Sequence, residues 1–211
     1  MVQFVGFLFL AFCVVGLLIC GIALAVHPTF GAALISLGIN PDSSGGLSSI
    51  NFSLFTKNGK GWSYITQGYG NTPYSYLYID HWHNGIDIAA NYGAPIYSPV
   101  ANGAGVVFAT GDQDDYCPGK AFGKFVVVQD NANHLFLLFA HLGTITVSPG
   151  DVIANGTEIG TVGSTGLETG PHLHFSIFEA AGFSVAPAHG CGPYPQGHDV
   201  DPTLYLGTTY E

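Results

Sequence analysis

Residues 125–142 read FVVVQDNANHLFLLFAHL, two β-branched and aromatic runs on either side of Asn131-Ala132-Asn133. Val and Phe suit the pleated surface of a sheet, and a polar break between two such runs reads as a hairpin. The same punctuation continues in both directions. Short apolar runs at Ala94–Val100, Gly103–Thr110, Lys124–Asp130, His134–Ala140, Val152–Asn155, Glu158–Val162 and His172–Phe178 are separated by Gly, Asn, Asp and Pro. That rhythm predicts an all-β fold, a compact antiparallel sheet domain. No long amphipathic helix and no internal repeat interrupts it.

Composition points the same way. The 211 residues include 30 Gly and 12 Pro, with 47% hydrophobic and 9% charged residues. So much Gly with so few Lys and Glu disfavours a helical bundle or coiled coil, and the apolar content excludes disorder. Four Lys and no Arg stand against 14 acidic residues, a formal charge of −10. So few cations could hardly neutralise a run of phosphates, so nucleic acid is excluded as a partner.

The mean hydropathy of +0.35 is unevenly spread. Phe4–Val26 is a run of 23 residues without a charge, about 34 Å as a helix, enough to cross a bilayer core of about 30 Å. A membrane anchor is the expectation. A cleaved signal peptide is the alternative: Ala23-Leu24-Ala25 resembles a cleavage site, but a basic n-region and a short apolar core are missing. Residues 27–60 carry PDSSGGLSS and read as a linker. The chain therefore divides into a transmembrane anchor or signal segment at 1–26, a linker at 27–60 and a β domain at 61–211.

Nine histidines against four lysines is a skewed ratio, and several of them cluster. His81-Trp82-His83-Asn84-Gly85-Ile86-Asp87, Ala140-His141-Leu142 and His172-Leu173-His174 stand out; His27, His134, His189 and His198 read as ordinary surface or satisfied residues. His172 and His174 fall in a predicted strand, so both imidazoles project from one face, about 6.5 Å apart, while Leu173 enters the core. His83 and Asp87 add an imidazole and a carboxylate, with Gly85 permitting a tight bend between them. Such N and O donors suit Zn²⁺, and no thiolate is offered. Five candidates exceed the three ligands of a catalytic site, which leaves histidines over for acid/base work beside the metal. His81 is read as a neighbour and not a ligand. Tyr69, Tyr74, Tyr76, Tyr78 and Trp82 are either packing residues or one wall of a substrate groove.

Cys13 and Cys20 lie inside the apolar run as small packing residues. Cys117 and Cys191 lie in Gly/Pro-rich loops, where an oxidising compartment would join them in a disulfide.

The segments HNGIDIAANYGAPIYSPVANGAGVV, LFAHL and GTEIGTVGSTGLETGPHLHF resemble the signatures of the M23 family of zinc peptidases, the lysostaphin-type or LytM-like endopeptidases. The similarity runs from about Gly61 to Leu206. By position, the resemblance implies Zn²⁺ held by His83, Asp87 and His174, with His141 and His172 beside it as general base and transition-state stabiliser in either order. It implies hydrolysis of peptide bonds in bacterial peptidoglycan cross-links. The domain would then lie outside the cytoplasm on a membrane anchor, or in the membrane or shell of a phage virion. A non-catalytic scaffold or activator of another wall hydrolase is the alternative. Two stretches, 111–124 and 182–199, look longer than the family's pattern and are expected to rim the groove. Gly163-Ser164-Thr165-Gly166 is read as a turn that places the HLH strand.

Overall fold

A computed structural model describes residues 62–100 and 105–205. The strands are β1 (Trp62–Gln67), β2 (Ile86–Ala90), β3 (Pro95–Tyr97), β4 (Gly105–Asp112), β5 (Lys124–Asp130), β6 (Leu135–Ala140), β7 (Leu142–Ile145), β8 (Val152–Ile153), β9 (Glu158–Val162), β10 (His172–Glu179), β11 (Ser184–Pro187), β12 (Pro193–Gln196) and β13 (Asp199–Val200). Among the described residues the helical elements are three short 3₁₀ turns. None of them is long and apolar enough to cross a membrane. The apolar run Phe4–Val26 and the 27–60 linker lie outside the described residues.

The main sheet is antiparallel, in the order β1-β2-β10-β6-β5-β4-β8, with β13 pairing β10 where β2 has ended. A three-stranded sheet, β3-β9-β7, packs on one of its faces. Between them lies the principal core. Ile86 and Ile88 come from β2, Leu137 and Phe139 from β6, and Leu173, Phe175 and Ile177 from β10, with Ile96, Ile159 and Val162 opposite. Each such aliphatic or aromatic side chain removed from water stabilises the fold by roughly 1.5–3 kcal/mol.

The hairpin of β5 and β6 forms as the sequence predicts, with Val128 paired to Leu137 and Val126 to Phe139. Its burial does not alternate, however: every residue of β6 is buried. A second layer explains this. The hairpin β11–β12, which the sequence reading did not anticipate, lays Val185 and Tyr194, with Phe183 ahead of it, over Phe122, Phe125, Val127, Phe136, Leu138 and Phe178. Phe136 and Phe183 stack with ring centroids 4.2 Å apart. A strand buried on both faces reads as a continuous apolar run, which is what LFLLFA is.

Cys117 and Cys191 form a disulfide. It ties the β4–β5 loop to the β11–β12 loop, the two stretches that read as long.

Candidate metal centre

Strand β10 sorts its residues by parity. Leu173, Phe175 and Ile177 enter the principal core, while His172, His174 and Ser176 face the other side, as period two requires. His174 is in register with Asp87 on β2 and with Ala140 on β6. The small Ala140 leaves room above the sheet on one side, and the Asp87 carboxylate stands beside the imidazole on the other. His83 approaches from the loop ahead of β2, anchored by a pair of backbone bonds with Gly70 at 2.8 and 3.0 Å.

The structure brings His83, Asp87 and His174 into one buried cluster. Asp87 Oδ1 lies 3.2 Å from His83 Nε2 and 3.0 Å from His174 Nδ1, and the two nitrogens are 3.1 Å apart. The far nitrogens decide which lone pairs point inward. His83 Nδ1 donates to Gly68 O at 2.7 Å, leaving Nε2 without a proton in the neutral ring. His174 Nε2 pairs with the fully buried Ser176 hydroxyl at 2.8 Å, which lets Nδ1 face the carboxylate as a lone pair. Two nitrogen lone pairs and a carboxylate oxygen with nothing positive between them is a donor set that fits a divalent cation such as Zn²⁺.

Gly85 lies in the expected bend ahead of β2 and serves a second purpose as well. A Cβ there would lie 2.6 Å from Ser176 Oγ and 2.9 Å from His174 Cε1. The position is kept bare so that the β2 entry can press against the stretch of β10 that carries His174 and Ser176.

His141 and His172 flank the cluster, their rings 4.7 Å apart, with His141 5.7 Å from His174. Each commits Nδ1 to a carbonyl: His141 to Thr165 O at 2.7 Å, His172 to Gly170 O at 2.8 Å. Each therefore has Nε2 left to offer, and that of His172 lies 3.5 Å from Asp87 Oδ1. Burial, reinforced by the neighbouring His172 and His174, pushes the His141 imidazole down to about 3. Burial also lowers His174, to about 4, against the pull of Asp87. For His172 the penalty of burial is outweighed by the hydrogen bond to Asp87, and its basicity is raised. Burial alone would raise the Asp87 carboxyl, but its contacts with His172, His174 and His83 hold it well below the usual carboxylate range.

The cluster forms the floor of a groove of about 870 Å³. Tyr74, Tyr78 and Trp82 line one side, so part of the aromatic group forms wall rather than core. Tyr69 instead packs edge-on against Trp82, with centroids 5.4 Å apart. Tyr78 stacks on His83 at 5.3 Å. Lys120 and Phe122 from the first long stretch and Tyr194 and Gln196 from the second rim the groove. His81 is exposed and outside the cluster. His189, read as an ordinary surface residue, sits on the rim against Tyr194 at 4.8 Å. The sequence reading passed over Ser176, although its place two residues after His174 on a strand put it on the same face. The carbonyls of Gly68, Thr165 and Gly170 carry no side-chain signal that would have marked them.

Comparison with known proteins gives this geometry its relatives. Residues 38% identical over a 95-residue stretch, 45% of this chain, occur in peptidoglycan DD-endopeptidase ShyA of Vibrio cholerae, covering 20% of that protein. DD-carboxypeptidase/endopeptidase Mpg of Neisseria meningitidis is 33% identical over 141 residues, 67% of this chain and 30% of that one. The chain thus spans a third or less of the length of these relatives. Among solved structures, a variant of the catalytic domain of the prophage-encoded M23 protein EnpA from Enterococcus faecalis matches with a TM-score of 0.51 and 28% identity, covering 72% of this chain and 98% of that one. The model of peptidase family M23 matches residues 81–187, half of the chain and the stretch that holds His83, Asp87, His141, His172 and His174, and the chain therefore belongs to peptidase family M23.

Proposed function

We propose that the protein is a zinc endopeptidase that hydrolyses peptide bonds in peptidoglycan cross-links. The observation that carries this reading is the convergence of His83 Nε2, Asp87 Oδ1 and His174 Nδ1 on one point of the groove floor, with the rings of His141 and His172 beside it. Three protein donors leave a coordination position open, the arrangement of a catalytic rather than a structural zinc site. When bound there by His83, Asp87 and His174, Zn²⁺ supplies a Lewis acid that polarises a carbonyl and acidifies water.

The chain's own residues do the rest. The carbonyls of Thr165 and Gly170 fix the tautomers of His141 and His172, so Nε2 of each ring faces the groove and handles the proton or the developing oxyanion. The exposed faces of Tyr74 and Trp82 give an extended peptide an apolar wall to lie on. With a formal charge of −10, recognition rests on such contacts rather than on attraction to anionic wall polymers. The relatives named for peptidoglycan endopeptidase activity support the substrate class.

The Cys117–Cys191 disulfide supports a domain at 61–211 working in an oxidising space outside the cytoplasm. The apolar run Phe4–Val26 would hold it at a membrane, in a cell envelope or a phage particle. The test is release of soluble peptides from purified sacculi. Release should stop with a chelator, return with Zn²⁺, and be absent in His141→Ala. A folded, zinc-loaded protein that releases nothing from several wall chemistries would overturn the reading.

A further inference from the structure

His141 holds a backbone conformation that L residues seldom adopt, φ 59°. Four contacts impose it. Its N–H donates to Phe122 O at 3.0 Å, its carbonyl accepts from Gly163 N at 3.0 Å, its ring donates to Thr165 O at 2.7 Å, and the ring packs against His172. Two of these partners, Phe122 and Thr165, belong to two loops that meet face to face. Gly123 and Gly166, both at positive φ, touch there with no room for a Cβ on either.

Side chains of the long β4–β5 loop latch this meeting. Asp114 Oδ2 accepts from Gly166 N at 2.9 Å, the amide of the same peptide unit as the Thr165 carbonyl that holds the His141 ring, and its Oδ1 accepts from Gly119 N at 2.9 Å. Gln113, fully buried, accepts from Phe122 N at 2.8 Å through Oε1 and donates to Pro193 O at 2.8 Å through Nε2. Leu167 N donates to Ala121 O at 2.8 Å and Lys124 N to Thr165 Oγ1 at 3.0 Å. Cys117, three residues past Asp114, is bonded to Cys191.

We propose that Asp114 is a positioning residue for His141: from a disulfide-clamped loop its carboxylate fixes the Gly166 amide, and so the Thr165 carbonyl that aims the imidazole. This rests on the assignment of His141 to the reacting centre. Asp114 touches neither the cluster of His83, Asp87 and His174 nor, by the contacts it makes, any atom that reacts. Its removal should therefore act on orientation and leave the metal donors in place.

The experiment compares Asp114→Ala, Asp114→Asn and His141→Ala in the full chain, measuring kcat, KM, bound Zn²⁺ and the imidazole N–H resonance of His141. Asp114→Ala should lower kcat by roughly 10-fold to 100-fold, as loss of groups that orient a catalytic side chain does, with KM and stoichiometric Zn²⁺ unchanged. The His141 Nδ1 proton signal should broaden through faster exchange with water. Asp114→Asn keeps one acceptor oxygen and should recover part of both. Wild-type kcat and an unchanged Nδ1 signal in a folded Asp114→Ala protein would overturn the proposal, as would equal loss of Zn²⁺ and activity. If His141→Ala stays fully active, it is the assignment of His141 that fails. The Nδ1 signal then still decides whether Asp114 holds the ring.

Discussion

Replacing Ser176 by Ala isolates what a single buried hydroxyl contributes to the metal cluster. Ser176 is fully buried, and its Oγ lies 2.8 Å from Nε2 of His174, itself 4% exposed. Removing the hydroxyl leaves a buried imidazole N–H unpaired, at a cost of about 1–3 kcal/mol. The ring has one escape, since Nδ1 lies 3.0 Å from Asp87 Oδ1. Moving the proton to Nδ1 makes that contact a hydrogen bond and recovers much of the loss, but it blocks the lone pair a cation needs. The metal-free fold should therefore lose about 1 kcal/mol or less, and the burden should fall on the metal. Outer hydrogen-bond partners of ligating histidines typically change metal affinity 10-fold to 100-fold, about 1.4–2.8 kcal/mol. Zinc affinity by competition with a chromophoric chelator, and urea unfolding of the metal-free protein, measure the two separately. Zinc affinity equal to wild type, with a loss confined to fold stability, would refute the tautomer argument.

Gly85→Ala should abolish stoichiometric zinc binding and lower the unfolding midpoint, because the added methyl meets Ser176 Oγ and His174 Cε1; overpacking of this kind costs about 1–3 kcal/mol, read by thermal unfolding with metal analysis. The double change Cys117→Ala, Cys191→Ala opens a cross-link spanning a sequence separation of 74, and should destabilise by about 2–4 kcal/mol in urea, with reduction of the wild type giving the same loss. Burial pushes the Tyr78 and Tyr194 phenols up to about 12, the carboxylates of Asp87 and Asp80 respectively adding to the effect. A pKa raised in the fold gives stability that is whole below the unfolded value near 10 and fades as pH climbs through about 12. Absorbance titration of the phenolates should show this late class, and Tyr78→Phe should remove one phenol from it.

The sheet was legible because β5, β6, β9 and β10 combine β-branched or aromatic residues with turn residues at both ends, and each appears within a residue or two of where the sequence places it. The grouping at the candidate site was partly legible: spacing singled out His83, Asp87, His141, His172 and His174 as candidates, the resemblance to the M23 family chose His83, Asp87 and His174 among them, and the structure brings the donor atoms of those three together. What escaped depends on contacts between distant segments. Pro193-Tyr194-Pro195 looks unlike a strand, yet it forms one beside β11, where the partner strand and the aromatic layer beneath set the backbone. The site's tautomers are set by main-chain oxygens from Gly68, Thr165 and Gly170, and no residue type signals which carbonyl will arrive. Gly85 lies in the bend the sequence suggests, but its second reason, the lack of room for a Cβ against His174 and Ser176, has no signal in the local sequence.

The cover over the second face of the sheet is encoded last. When β5 and β6 have left the ribosome, their Phe136 and Leu138 side have as yet no Phe183, Val185 or Tyr194 to meet. Cys117 must wait for a partner 74 positions downstream. A nascent chain halted before residue 183 would carry a sticky apolar plate, and its Cys117 could find its native partner only after the β11–β12 loop has been made. Shortened versions of the gene that stop ahead of the β11–β12 hairpin are accordingly expected to yield inclusion bodies rather than a smaller working protein.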